Sequence, residues 1–204
     1  MAKIFKNIWF RCITTLLVIA AISGGLLAIL SDVLYVSAEE RTGRAIKKIY
    51  GEEKAYSVVI DKDKDESSAI VYEEFGEIGK LFVVGDKSSG SFDYLFQTTG
   101  KGGFHGGTIT LWTQVAMTGE NFEIKKVLLE SFEKQTLMSK LGGEYYSEFT
   151  EVSHLEDLID GKNFTADKSD ADNVQNIVSG ATYSASAGNN AVNCVVKYLR
   201  EVNA

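Results

Sequence analysis

Residues 100–117 of this chain read GKGGFHGGTITLWTQVAM. Five glycines among the first eight residues lead directly into a segment in which apolar and polar side chains alternate. Alternation with a period of two predicts a β-strand with one buried face from Thr108 to Met117. The glycines before it are expected to form a strained hairpin turn, because glycine tolerates backbone conformations that other residues avoid. The segment therefore predicts a sheet in the middle of the chain.

Short segments rich in β-branched and aromatic residues lie on both sides of this strand, and Gly, Asp or Ser separates several of them, as hairpins require. They predict strands at Tyr56–Asp61, Ser68–Glu73, Lys80–Val84, Tyr94–Thr98 and Glu123–Phe132. Helical patterns follow at Ser153–Asp160 and in the last segment of the chain. The expected fold is α+β, an antiparallel sheet packed with helices.

The last helical pattern follows the hexapeptide Ser179-Gly180-Ala181-Thr182-Tyr183-Ser184. Thr182 is expected at the start of this helix, where free amide groups and the positive end of the dipole favour a phosphate. The small Gly180 and Ala181 leave the threonine hydroxyl open to a modifying enzyme. The alternative is an ordinary turn and helix cap, since Ser, Thr and Gly are common there. The helix is predicted to end near Arg200, with an apolar face of Ala187, Ala191, Val192, Val195, Val196 and Leu199.

The hexapeptide resembles the S-G-A-T-x-S/T signature of a family of FMN-binding subunits, found in Rnf-type electron-transport complexes and in the sodium-pumping NADH:quinone reductase. In that family the threonine carries FMN through a phosphoester. The resemblance thus implies covalent FMN on Thr182, with Ser179, Gly180, Ala181, Tyr183 and Ser184 as cofactor-binding neighbours. The chain is then an electron carrier with no independent catalytic site.

The same resemblance implies partners. They are the other membrane and peripheral subunits of an Rnf-type ferredoxin:NAD oxidoreductase coupled to ion transport, in which this chain takes the place of the G subunit, and a flavin transferase that attaches the FMN. Three alternatives stay open. They are the C subunit of the quinone reductase, a stand-alone extracytoplasmic flavoprotein, and an anchored binding or structural module without flavin.

The resemblance spans about Gly85 to Leu199 and implies further contacts with the flavin. Gly103 and Phe104 match a glycine-aromatic-glycine segment that opens a strand near the flavin, with a purely structural turn as the alternative. Glu133 and Thr136 match polar positions of an acidic-Thr-Pro-Gly loop, although the proline is missing here and an exposed turn is the alternative. Asn176 stands six residues before Thr182, where the family often has an aspartate that the transferase recognises.

An apolar segment near the N-terminus predicts a membrane anchor. Ile13–Leu30 has 18 residues without a charged side chain, close to the roughly 20 that a bilayer core requires. Trp9 and Tyr35 flank it as interfacial residues do. The expected organisation is a short N-terminal segment over 1–12, a transmembrane helix over 13–35, a linker or stalk helix over 36–54 and an FMN-binding domain over 55–204.

The charges around this segment predict its orientation and exclude one class of partner. Lys3, Lys6 and Arg11 precede it, and no acidic residue occurs before Asp32. The positive-inside rule therefore places the N-terminus in the cytoplasm and the domain across the cell membrane. The 21 basic residues less these three leave 18 against 28 acidic residues, a net charge of minus ten on the outer part. So acidic a domain is a poor nucleic-acid binder.

A cleaved signal peptide is the competing interpretation of the N-terminus, because residues 36–38, VSA, resemble a signal-peptidase site. A retained span is favoured, since the apolar run exceeds the 7 to 15 residues or so of a signal sequence. The two cysteines, Cys12 and Cys194, fall on opposite sides of the membrane in this topology and are not expected to pair. Cys194 is expected in the core.

Sequence motifs of other enzyme classes are missing. The glycine cluster does not fit G-x-G-x-x-G, and the chain has neither a P-loop nor a G-x-S-x-G elbow. Its two histidines, His105 and His154, lie far apart without a second ligand at metal-binding spacing, so no zinc or haem site is expected. Electron transfer by a bound flavin therefore stays what the resemblance implies, with no competing catalytic motif in the sequence.

Overall fold

The computed structural model describes residues 8–34, 37–118, 121–151, 161–170 and 173–203. The chain forms two compact units, Met1–Thr42 and Gly43–Ala204. Helix α1, Ile8–Leu34, belongs to the first unit. Within it, Arg11–Leu30 is long and apolar enough to cross a membrane, with a mean hydropathy of 2.4 and none of its length buried in the protein. The predicted span is therefore one continuous helix that begins earlier than Ile13.

The second unit is built on a six-stranded antiparallel sheet. Strands β1, β3, β4, β5 and β6 lie side by side in that order, and β2 pairs with β3 on the same edge as β1. The α+β prediction is confirmed, and each predicted strand is found, the first with the predicted bounds and the others with longer or shorter ends. The strands are β1 Tyr56–Asp61, β2 Ile70–Tyr72, β3 Gly76–Asp86, β4 Ser91–Gly100, β5 Thr108–Thr118 and β6 Asn121–Glu133.

Side chains alternate between the two faces of this sheet, as the pleat requires. Leu81 and Val83 of β3 belong to the main core, whereas Phe82 and Val84 between them belong to a smaller cluster on the other face. Both faces are buried, so the unit has three layers.

Helix α2, Ala38–Tyr50, provides the cover for the smaller cluster. Its Ile46 and Ile49 are buried against Phe82, Leu95 and Trp112. This part of the segment predicted as a stalk is therefore part of the domain core. The sequence did not reveal this because the apolar positions of the helix are few and charged residues surround them.

Two helices cover the main core on the opposite face. Helix α3, Gly143–Glu151, packs on β6, and helix α4, Thr182–Asn203, crosses β3, β4 and β5. The sequence did not predict α3, and the helix predicted at Ser153–Asp160 lies outside the described residues. A short parallel pair, β7 Phe164–Thr165 and β8 Val174–Gln175, lies between these helices in the chain.

Helix α4 lies very close to the sheet at one point. A Cβ at Gly100 would lie 2.0 Å from the Ala187 carbonyl oxygen and 2.3 Å from the Ala191 amide nitrogen. The predicted apolar face of the helix is confirmed, since all six of its residues are buried. Cys194 on the same face is buried too, and burial raises the pKa of its thiol to about 12. These contacts thus fix the distance of the helix from the sheet and its rotation about its own axis. The position of its first turn is fixed with them.

Candidate functional site

The hexapeptide forms the turn that starts α4. Gly180 has a left-handed backbone with φ of +75°, which glycine adopts without strain. The Ala181 amide donates to the Val178 carbonyl at 3.0 Å, and the Ala181 carbonyl accepts from the Ala185 amide at 2.9 Å. Thr182 is the first helical residue, as predicted. Ala181 has no side-chain oxygen with which to cap the amides of the first turn.

The six side chains divide into inward and outward sets. Ala181 and Ser184 are each 3% exposed and anchor the turn to the domain. Ser179, Gly180, Thr182 and Tyr183 lie at the surface, and Tyr183 is 64% exposed. The residue predicted to carry the flavin therefore presents its side chain to solvent from a rigid base.

Gln135 holds the base of this turn from a distant part of the chain. The Ser184 hydroxyl donates to Gln135 Oε1 at 2.8 Å in a buried hydrogen bond. Gln135 Nε2, also buried, has no hydrogen-bond partner among the described residues. The Gln135 side chain thus joins the start of α4 to the segment after β6, and its amide nitrogen is left without an acceptor among the described residues.

The glycine segment before β5 wraps around that same amide. A Cβ at Gly103 would lie 1.9 Å from Gln135 Nε2, and one at Gly107 would lie 2.6 Å from it. These two positions lack side chains because the Gln135 amide occupies the space. The predicted flavin-contact segment and the hexapeptide, more than 70 residues apart in the chain, therefore meet through Gln135.

Phe104 is the first residue of a short 3₁₀ turn over residues 104–106. The second residue of this turn, His105, has a left-handed φ of +49°. The Phe104 ring is 39% exposed, and its centroid lies 6.2 Å from that of Tyr183. Phe104 and Tyr183 therefore form a pair of exposed aromatic rings beside Thr182. A strained loop residue next to exposed aromatic groups is a frequent feature of binding sites.

Glu133 and Thr136, the predicted polar contacts, are both exposed. The side chain of this segment that reaches the hexapeptide is instead that of Gln135. Sequence reasoning missed it because its partner Ser184 lies 49 residues away, and nothing local indicates that an amide in this position turns inward.

A polar cleft of about 490 Å³ lies beside the hexapeptide. Lys140 and Ser179 contribute polar groups to it, and a Cβ at Gly180 would lie 2.6 Å from Lys140 Nζ. The cleft is lined by Lys140, Gly142, Gly143, Glu144, Tyr145, Glu148, Ile177, Val178 and Ser179. No sequence motif includes Lys140. It lies close to Gly180 because segments that are distant in the chain pack against each other.

Buried polar groups fix the segment that leads into the hexapeptide. The Tyr145 hydroxyl lies 2.9 Å from both the Ala185 carbonyl oxygen and Asn189 Oδ1, and burial raises its pKa well above the ordinary value. Asn189 Nδ2 donates to the Asn176 carbonyl at 3.3 Å. Asn176 itself is buried, and its Oδ1 has no partner in the described part of the chain. An aspartate in its place would bury a charge in this network.

No family model, curated protein or solved structure matches this chain. Across the described ranges, no three His, Cys, Asp or Glu side chains are grouped so as to hold a metal ion. His154 lies outside those ranges. The functional argument therefore depends on the residues around Thr182 themselves.

The Ser184–Gln135 contact predicts a measurable loss of stability. Ser184→Ala is expected to lower the free energy of unfolding by about 2 kcal/mol, because it leaves the buried Gln135 Oε1 without a partner. Gln135→Met in the same chain should recover most of that loss, since both polar groups are then gone. Urea unfolding of the full chain in mild detergent, followed by circular dichroism, measures both. Ser179→Ala, in the same turn but exposed, is the control; equal losses in Ser179→Ala and Ser184→Ala would contradict the prediction.

Proposed function

We propose that this chain is a membrane-anchored electron carrier that holds FMN covalently on Thr182 through a phosphoester. The single observation that carries the proposal is the position of Thr182, which is exposed at the first residue of a 22-residue helix. Free amides and the positive end of the helix dipole favour an anion at that place. Ala181 offers no side-chain oxygen to cap those amides, so they are available in kind to a phosphate.

The residues around Thr182 fit FMN in their chemistry. The helix start and the nearby Lys140 suit the phosphate, and the exposed rings of Phe104 and Tyr183 suit a flat aromatic ring. FMN, when bound, supplies one- and two-electron redox chemistry at its ring system. The chain supplies attachment, orientation and a fixed electrostatic environment.

Attachment at Thr182 is a phosphoryl transfer. The threonine Oγ forms a bond to the phosphorus of the FMN half of a flavin dinucleotide, and the pyrophosphate bond of that donor breaks. The nucleoside monophosphate leaves with the electron pair of the broken bond, and the hydroxyl proton passes to solvent or to a base of the transferase. Small neighbours at Gly180 and Ala181 keep the approach to Oγ open.

The setting of this carrier follows from α1 and from charge. The basic residues before α1 favour a cytoplasmic N-terminus and a domain on the outer side of the cell membrane, where a cofactor that dissociates would be lost. Such a carrier needs partners that deliver and remove electrons. An Rnf-type complex fits this need best, with the quinone-reductase C subunit and a stand-alone extracytoplasmic flavoprotein as alternatives that share the cofactor.

The decisive experiment asks whether flavin stays on the denatured chain. The full chain is produced with and without an active flavin transferase, denatured, washed and examined by absorbance, fluorescence and peptide mass. We expect yellow protein only with the transferase, and one peptide containing Thr182 that is heavier by FMN less one water. A colourless chain, made beside a transferase that modifies a known acceptor in the same cells, would refute the proposal.

A further inference from the structure

We propose that Lys140 and Ser179 form a phosphate-binding site that holds the phosphoester of Thr182 and positions the flavin arm. This inference rests on the proposed function and names a residue outside the hexapeptide. It assigns Lys140 as a positioning residue, with a phosphate ester as the ligand class.

The geometry around Gly180 is the first ground for the site. Lys140 ends a short 3₁₀ turn, Met138–Lys140, which the buried Leu141 anchors to the core. Its ammonium group lies over Gly180, since a Cβ there would come within 2.6 Å of Nζ. Gly180 precedes Thr182 by two residues, so the ammonium lies within a few ångströms of the turn that carries the attachment residue. A side chain at position 180 would push the ammonium away.

The electrostatics of the cleft are the second ground. The Lys140 ammonium forms no ion pair or hydrogen bond with any described residue, although Glu144 and Glu148 also line the cleft. Helix α3 begins at Gly143 in the wall of the cleft, and α4 begins at Thr182 next to it. The positive end of α3 and the unpaired Lys140 ammonium therefore share this polar space, and Ser179 in its lining leads into the turn before α4. Lys140 is the one cation among the lining residues, so an anion would bind at its ammonium and not beside the two carboxylates.

The chemistry of a phosphoester suits this space. A phosphodiester keeps one negative charge at all physiological pH values, and an ammonium group offers it up to three charge-assisted hydrogen bonds. The Ser179 hydroxyl, in the same cleft, offers one more. These contacts would hold the phosphate against the turn and restrict the rotation of the flavin arm. They would also favour phosphoryl transfer to Thr182, because negative charge accumulates on the phosphate oxygens during the transfer.

The test compares four full-length chains in mild detergent: wild type, Lys140→Gln, Lys140→Arg and Lys134→Gln. Lys134 is an exposed lysine six residues before Lys140 and serves as the matched control. Two quantities are measured, the initial rate of covalent flavin incorporation by the transferase and the ³¹P resonance of the attached phosphoester. The second quantity reports the surroundings of the phosphate and does not depend on electron-transfer activity.

We expect Lys140→Gln to incorporate flavin about tenfold more slowly, as loss of one charge-assisted contact implies, and to shift the ³¹P resonance. Lys140→Arg should stay near wild type in rate, and Lys134→Gln should match wild type in both quantities. If Lys140→Gln matches Lys134→Gln in rate and resonance while wild type is fully flavinylated, this inference alone is overturned. A wild-type chain without flavin would overturn the proposed function and this inference together.

The salt dependence of the wild-type resonance is a second measurement that needs no variant. An ion pair between Lys140 and the phosphate should be weakened by added salt. The ³¹P resonance of wild type should therefore move with sodium chloride toward the position found in Lys140→Gln. A resonance that is independent of salt and identical in all four chains would contradict the ion pair even if a variant folded poorly.

Discussion

Thr182→Ala is expected to yield a folded chain without any covalent flavin. The Thr182 side chain is exposed and packs against nothing in the core, and alanine is the best helix former. The substitution should therefore leave the free energy of unfolding within about 0.5 kcal/mol of wild type. Loss of flavin should be complete, because the phosphoester needs the threonine oxygen. In-gel fluorescence after denaturation and the intact mass of the chain measure this directly.

Removal of the hydroxyl from another exposed threonine should leave the covalent flavin in place. Thr118, exposed at the end of β5, gives the matched control Thr118→Ala, which should retain all of its flavin. Full fluorescence in denatured Thr182→Ala would refute attachment at Thr182 and direct attention to Ser179 or Tyr183, the exposed hydroxyls on either side of it.

Gly100→Ala should have the largest effect on stability. The added methyl group would lie 2.0 Å from the Ala187 carbonyl oxygen and 2.9 Å from the Ala191 Cα, so α4 must move away from the sheet. Such overpacking against backbone costs about 3 kcal/mol, which corresponds to a fall in Tm of roughly 10 °C for a domain of this size. Thermal unfolding of the full chain in mild detergent measures the shift. Flavinylation should fall as well, because the start of α4 moves with the helix.

Gly43→Ala is the matched control for this substitution. Gly43 lies in α2, and no atom lies within 4 Å of a Cβ placed there. Alanine in a helix is more stable than glycine by about 1 kcal/mol, so Gly43→Ala should raise Tm. A Gly100→Ala chain with the Tm of wild type would show that the helix can shift freely. Its distance from the sheet would then not determine the position of the turn at Thr182.

Much of the fold could be predicted from local sequence patterns. The strand predicted from Thr108 to Met117 begins with alternating apolar and polar residues, and β5 follows the prediction almost residue for residue. The last helix repeats its apolar residues at intervals of three and four, and α4 buries that whole set. Both patterns are strong because apolar side chains recur in them at short, regular intervals, a property that can be read from the sequence alone.

The sequence patterns of helices α2 and α3 are weaker. Helix α3 is short, and its buried Tyr145 and Phe149 are four residues apart within a segment that otherwise resembles a loop. Helix α2 was recognised as a helix, but Ile46 and Ile49 alone did not reveal that it packs on the sheet. Two apolar residues on a charged helix suffice for packing when the sheet presents large side chains such as Phe82 and Trp112. Those side chains come from a different part of the chain, so the sequence of the helix does not indicate them.

The sequence by itself determined the sheet, the last helix and the placement of Thr182 at the start of that helix, because periodicity and turn residues are local properties. Only the tertiary structure decided what surrounds Thr182. Gln135 reaches Ser184, Phe104 approaches Tyr183, and Lys140 lies over Gly180. Each pair is separated by at least 40 residues and is brought together by the packing of β6, α3 and the glycine segment around α4. Contacts of this kind depend on how separate elements pack, which no local pattern encodes.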